Sequence, residues 1–462
     1  MLIASATVCG QRREVHILSA NDMHANIDAF PQLAAIADSL RALYPSLLVF
    51  SAGDNRTGNP LNDIYEVSGY PMVALMNQVG FHASALGNHD FDMLSLPALM
   101  TLSNFRYLCA NITADDSTAI HALPYQMFDV EGVKVGVFGL VQTNKRGYPD
   151  THPDNLAGLH FEQPMEVVGR YEWIARQCDV TILLSHVGYK ADTLIAHEHP
   201  WIDLIVGGHT HTQLEGSVMH NGVLITQNKN KLPMVTHTTL TLDSGRVVDK
   251  RAEYIDVAHF TKSNRVVTEM VNTFNDNPDF KTVLAYAESP FENVYELGCM
   301  VCDAFLEETD ADISIQNFKG IRLESHPGGD ITVMDVLTID PFGNAAYEMT
   351  LTGREVCQMI ENYSRMDVAH FPHLGGIRAE LTLDTDDPMV IRSIKLLDAN
   401  GGKFDMKRKY RVVTNSYVAA ACKAYGFKDM HRMNRETSDM IMRFLEKQQT
   451  VDYRGVERIE FK

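Results

Sequence analysis

Two carboxylates, one carboxamide and four imidazoles stand just beyond five short apolar runs of this chain. Val15-His16-Ile17-Leu18 leads to Asp22 and His24, and Leu47-Leu48-Val49-Phe50 leads to Asp54. Ala83-Ser84-Ala85-Leu86 leads to Asn88, with His89 and Asp92 close behind. Thr181-Ile182-Leu183-Leu184 leads to His186, and Leu204-Ile205-Val206 leads to His209 and His211. Such a set can hold two divalent cations. Mixed carboxylate, amide and imidazole donors suit Zn²⁺, Mn²⁺ or Fe²⁺ better than Ca²⁺ or Mg²⁺. No cysteine accompanies the set, which disfavours a structural thiolate zinc site. His89 follows Asn88 directly, so its side chain points away from that donor. An imidazole there can stabilise developing charge, and Asp92, three residues on, can fix its tautomer.

Elements must bring these residues together. Short apolar runs bounded by Gly, Ser and Asn read as buried strands. Ligands in α/β sheets gather beyond the carboxyl ends of such strands. Between the runs, Leu33, Ile36, Ala37 and Leu40 share one helical face, and Met72, Leu75, Met76 and Val79 share another. Residues 14–258 therefore read as an α/β layered domain. An extended loop would point Asp22 and His24 the same way, and Gly53-Asp54 would sit on a tight turn. Gly207 and Gly208 would let the backbone approach the cations without a Cβ clash.

Val267, Met270, Val271 and Phe274 have helical spacing, so 259–290 reads as a connecting helix. From 291 to 462 the pattern is a smaller α+β domain. It has a helix at 297–308, a strand at 311–315, and strands near 345–351, 379–384, 391–397 and 410–414. Thr352-Gly353-Arg354-Glu355 is a capping box opening a helix through Ile360.

A length of 462 residues fits two domains, and 45% apolar with 21% charged residues is ordinary globular composition. A net charge of −19 argues against a partner that is a nucleic acid polymer. No run of 18 apolar residues follows the start, so no transmembrane helix is expected. Residues 1–13 read as the remnant of a signal peptide, with lipidation at Cys9 a weaker reading. That places the chain in the periplasm or outside the cell. Seven cysteines make no disulfide framework. Cys299 and Cys302 lie in an apolar helical run and read as buried free thiols.

The motifs Asn21-Asp22-Met23-His24, Gly53-Asp54, Gly87-Asn88-His89-Asp90-Phe91-Asp92, Ser185-His186 and Gly207-Gly208-His209-Thr210-His211 resemble the calcineurin-like dinuclear metallophosphatases. More narrowly, the chain resembles the 5′-nucleotidase / UDP-sugar hydrolase family. The resemblance implies a layered β-sandwich flanked by helices, joined through a helix to a smaller α+β substrate-binding domain. It implies that Asp22, His24, Asp54 and His211 hold one metal, and that Asp54, Asn88, His186 and His209 hold the other. It makes His89 the catalytic histidine and Asp92 the aspartate that orients it. Two cations about 3.5–4 Å apart can acidify a bound water and clamp a phosphoryl group during in-line displacement.

In the second half, Asn317-Phe318-Lys319-Gly320-Ile321-Arg322 resembles the family's Gly-rich turn, which implies that Arg322 grips phosphate. Glu361-Asn362 resembles a Glu-Asn pair, so Asn362 would meet the nucleoside, with Arg365 a second cation. Phe371 and Phe427 take the places of two aromatics that sandwich the base. The activity implied is hydrolysis of nucleoside 5′-phosphates. The alternatives are a 2′,3′-cyclic-nucleotide phosphodiesterase/3′-nucleotidase, a UDP-sugar or dinucleotide pyrophosphatase, or a nucleoside-binding protein without turnover.

Overall fold

A computed structural model describes residues 12–59, 65, 67–92, 94–116, 118–366, 371–384, 391–424 and 426–462. Residues 1–11, including Cys9 and most of the stretch read as a signal remnant, lie outside the described residues. The chain divides into a first unit ending at Asp276 and a second beginning at Asn277.

The first unit is built from β1 (Arg13–Ala20), β2 (Leu48–Ser51), β3 (Ala83–Ala85), β4 (Arg106–Leu108), β5 (Ile112–Ala114), β6 (Tyr125–Val130), β7 (Val133–Val141), β8 (Leu159–Phe161), β9 (Val180–His186), β10 (Leu204–Gly207), β11 (Val218–His220), β12 (Val223–Thr226), β13 (Met234–Asp243) and β14 (Arg246–Asp256). One six-stranded sheet has the order β14-β13-β1-β2-β3-β4, and another has β11-β12-β10-β9-β7-β6. β1, β2, β3 and β4 run parallel, and so do β7, β9, β10 and β12.

Val15, Ile17, Leu48, Phe50 and Ala83 of the first sheet pack against Val135, Val137, Ile182, Leu184 and Val206 of the second. The alternate residues of the second sheet, Phe138, Leu183, Ile205 and Ile225, face Ile174 and Ile195 of covering helices. Both faces of the central strands are therefore buried, which is why they read as continuous apolar runs rather than alternating ones. All five apolar runs named above are adjacent parallel strands, three in one sheet and two in the other. Their carboxyl ends emerge on the same side of the sandwich.

The segment read as a connecting helix is helical only at Arg265–Asn275 and, in one 3₁₀ turn, at Pro278–Lys281. Arg265–Asn275 is tied back onto the first unit by Asn264 Nδ2 to Asp38 (2.7 Å) and Asn275 Nδ2 to Asp28 (2.7 Å). Val283–Ala287 is instead a strand, β15, of the second unit. It pairs with Gly329–Thr332 on one side and Thr450–Val451 on the other, which takes it out of the helical reading.

The second unit holds a five-stranded sheet that includes Ile313–Gln316, Ala345–Thr352, His373–Gly375 and Lys409–Asn415. The helix Val294–Glu307 covers it, packing Met300, Val301 and Phe305 against Met440, Ile441 and Phe444. The capping box at Thr352 and Glu355 forms in both directions, and its helix runs to Met366. Cys299 and Cys302 are buried free thiols.

Asp340 in this unit is 1% exposed, accepts a hydrogen bond from the Thr437 hydroxyl, and leaves its Oδ1 without a partner. Burial pushes its carboxyl up to about 6, against the opposing Thr437 bond. The folded value lies above the ordinary carboxylate value of about 4. Its favourable contribution is therefore complete below about pH 4 and lost as pH rises to about 6. Asp340→Asn should melt with the wild type below about pH 4 and above it at pH 8. The gap should reflect roughly 2–3 kcal/mol, about 5 °C or more by scanning calorimetry. A gap that does not widen with pH would contradict a carboxyl raised by burial.

Candidate metal centre

The loops after β1, β2, β3 and β10, with the last residue of β9, bring the seven candidate ligands to one end of the sandwich. Asp22, His24, Asp54, Asn88 and His186 are buried, and His209 and His211 are half-buried. Asp22, His24 and His211 place one donor atom each within 4.8 Å of one another. So do Asp22, Asp54 and His186, and so do His24, Asp54 and His89. Asp54 is thus shared between clusters.

The backbone carries the cost of this convergence. Asp22, His24, Asp54, His209 and His211 all have left-handed φ, from 45° to 73°. The Asp22 to His24 segment is therefore not the extended loop expected from its spacing. Five non-glycine residues in this sparsely allowed region mark a site held by its surroundings. Gly207 and Gly208 leave space that a side chain would fill. A Cβ on Gly207 would lie 2.6 Å from Asp192 Oδ2, and one on Gly208 would lie 2.9 Å from His186 Nδ1 and 3.1 Å from Asp22 Oδ2. They make room for the side chains around the ligands.

Fixed tautomers show that the donors fit cations. His24 Nδ1 lies 2.9 Å from the Thr57 carbonyl, and His186 Nδ1 lies 2.7 Å from the Ala52 carbonyl. A carbonyl only accepts, so each Nδ1 carries a proton and each Nε2 faces the centre. His24 Nε2 and His211 Nε2 approach to 3.3 Å. His186 Nε2 is 3.1 Å from Asp54 Oδ2. These atoms are close enough together to share a cation.

The charges agree. Burial alone would raise the Asp54 carboxyl, but His186, His89 and His24 outweigh it and hold it well below the usual range. Burial likewise opposes ionisation of Asp22, and His211 and His186 overcome it. Burial would lower His186, yet Asp54 and Asp22 raise it to about 10, so without metal its imidazolium stands in for a cation. Burial and His186 lower His209 to about 4, leaving it neutral and able to ligate. Loading Zn²⁺ at pH 7 should therefore release at least about one proton per chain. Calorimetry in buffers of different ionisation enthalpy reads this directly, and metal binding with no proton release would contradict it.

His89 Nδ1 lies 2.7 Å from Asp92 Oδ2, and the pair is partly exposed at 18% and 14%. The backbone N–H of His89 donates to Asp54 Oδ1 at 2.8 Å, which ties the pair to the shared carboxylate. Several bracing residues escaped the sequence reading. Asn21 Nδ2 donates to Asp22 Oδ2 (2.7 Å), Gly87 N–H donates to the Asp90 carboxylate (2.8 Å), and Thr151 donates to Asp92 Oδ1 (2.8 Å). Asn21 and Asp90 lie inside recognisable motifs. Thr151 lies 59 residues from Asp92 and carries no sequence signal.

In the second unit, Asn317 Oδ1 accepts from Asn415 (2.7 Å), and Phe318 N–H donates to Tyr363 Oη (2.9 Å). The latter bond brings the Asn317–Arg322 turn beside the helix that carries Asn362. Arg322 is half-buried, its guanidinium 5.8 Å from the Phe342 ring centre. Arg365 is in the last turn of the same helix, its side chain outside the described part. A stacking clamp needs exposed ring faces, and here the expectation for Phe371 fails. Phe371 is 9% exposed, packs 4.9 Å from Phe461, and belongs to the core. Phe427 packs partly against that same core.

The fold and this donor set define a metal-dependent phosphoester hydrolase. Residues 15–213 match the calcineurin-like phosphoesterase family, and residues 279–429 match the 5′-nucleotidase C-terminal domain. The chain belongs to the calcineurin-like phosphoesterases that carry a 5′-nucleotidase C-terminal domain. It is 25% identical to a 5′-nucleotidase of Vibrio parahaemolyticus, over 86% of this chain and 80% of that one. It is 26% identical to the trifunctional nucleotide phosphoesterase protein YfkN of Bacillus subtilis, over 89% of this chain but only 32% of that longer protein. The crystal structure of a 5′-nucleotidase precursor from Thermus thermophilus superposes with a TM-score of 0.85 at 24% identity, covering 97% of this chain and 99% of that one. Among the described residues no helix is long and apolar enough to cross a membrane.

Proposed function

We propose that this chain hydrolyses nucleoside 5′-phosphates to nucleoside and phosphate. The observation that carries the reading is the convergence of buried Asp22, His24, Asp54 and His186 with His211, in a chain that also carries a 5′-nucleotidase C-terminal domain. Asp22, His24, Asp54 and His211 would hold one divalent cation, and Asp54, Asn88, His186 and His209 the other. Zn, Mn or Fe is the reading of the donor chemistry. Such cations supply an acidified water and a clamp for phosphoryl oxygens. His89, oriented by Asp92, meets charge on the phosphoryl group or its leaving oxygen. Arg322 offers a forked donor to phosphate, and Asn362 offers an amide to the nucleoside. The apolar N-terminal stretch supports a periplasmic or extracellular location.

Release of phosphate from AMP and UMP, ahead of 2′,3′-cyclic AMP, 3′-AMP, NAD and UDP-glucose, is the expected result. Phosphate from the cyclic and 3′ substrates alone would assign the cyclic phosphodiesterase/3′-nucleotidase activity instead. Cleavage of UDP-glucose or NAD without action on AMP would assign a pyrophosphatase.

A further inference from the structure

The loop between β7 and β8 reaches the centre without contributing a metal donor. It is a stiff piece of chain. Gln142 Nε2 and Asn144 Nδ2 donate to the two carboxylate oxygens of Asp150 (2.8 and 3.0 Å), and Asp150 N–H donates to Gln142 Oε1 (3.1 Å). Two consecutive residues of this loop then act in different directions. The Asp150 carbonyl accepts from Asn88 Nδ2 (3.1 Å), which turns the amide so that its Oδ1 faces His209 Nδ1 at 3.0 Å. Thr151, 6% exposed, donates its hydroxyl to Asp92 Oδ1 at 2.8 Å. Asn155 Nδ2 donates to the Asp92 carbonyl at 2.7 Å.

We propose that Thr151 is a positioning residue that acts through Asp92 on His89; its effect on turnover rests on the hydrolase reading above. Asp92 uses Oδ2 for His89 Nδ1 and Oδ1 for Thr151, so the hydroxyl fixes the plane of the carboxylate. With that bond gone, the carboxylate can rotate about its terminal torsion, which is soft. The imidazole then loses its set orientation. The Thr151 hydroxyl bonds to Asp92 and to none of the candidate metal donors, so its hydrogen bond reaches His89 through Asp92.

A double-mutant cycle tests this on the metal-loaded, full-length chain. Thr151→Val keeps the shape and removes the donor, and should lower kcat by roughly 10-fold, with KM and bound metal unchanged. Thr151→Ser should restore kcat to near wild type. In an Asp92→Ala background, Thr151→Val should cost nothing further. An equal cost in both backgrounds, a change confined to KM, or no recovery with serine would overturn the proposal. A readout free of substrate runs alongside. In zinc-loaded protein labelled with ¹⁵N-histidine, the His89 imidazole resonances, assigned by their absence in His89→Gln, should move in Thr151→Val and not in Thr151→Ser. A wild type that releases phosphate from no nucleotide would sink the hydrolase reading alone. The imidazole resonances would still decide the positioning role, and unmoved resonances in Thr151→Val would refute it.

Discussion

Asp54→Ala should lose at least about 10³-fold in kcat on every phosphoester substrate and bind fewer metal equivalents than the wild type. Asp54 is 1% exposed and wedged against the β3 loop: a Cβ on Gly87 would lie 2.1 Å from its Oδ1. It belongs to two of the three donor clusters, and its removal takes a carboxylate from each of those two. Its second duty is to accept the His89 backbone N–H, so the alanine variant also releases the loop that presents His89. His186 would lose the partner that raises it most, and its imidazolium would sit buried beside Asp22 alone. Elemental analysis and kcat on AMP, measured on the same preparation, check this. Activity near the wild type with two metals bound would remove Asp54 from the centre.

The candidate donors could be picked out in the sequence because each stands at or beyond the end of a buried strand whose apolar run is continuous. Parallel strands covered on both faces leave that signature, and their carboxyl ends face one way. The conformations of the donors were not legible. Nothing in Asp22-Met23-His24 announces two left-handed residues, since that geometry is imposed by Asp22 N–H to Gly53 and His24 N–H to Asp54 backbone bonds between loops. What Gly208 makes room for was not legible either, because those groups come from β9 and the β1 and β2 loops. Arg265–Asn275 has the spacing of an amphipathic helix, but side-chain bonds from Asn264 and Asn275 decide which unit it joins. Phe371 shows the limit of motif likeness: an aromatic in the right segment can still turn into the core when Phe461 is there to receive it. Thr151 marks the other limit, since a hydroxyl that matters only through one carboxylate leaves no trace in spacing or composition.

His89→Gln separates catalysis from metal binding. Glutamine keeps the size and a hydrogen-bonding end but cannot carry the proton. The metal donors and Asp54 keep their places, because the His89 bond to Asp54 is made by the backbone. Bound metal should therefore match the wild type, while kcat on AMP falls by about 10²–10⁴-fold. Asp92 alone cannot compensate, since its carboxylate is committed to Nδ1 of the ring it orients. A comparison of leaving groups then says where the charge goes. If His89 stabilises the departing oxygen, p-nitrophenyl phosphate should show a much smaller deficit than AMP, because p-nitrophenolate leaves without help. Equal deficits would place the imidazole on the phosphoryl oxygens instead. Loss of metal in parallel with activity would make His89 a ligand, in line with its proximity to His24 and Asp54, and would end its role as the charge-stabilising histidine.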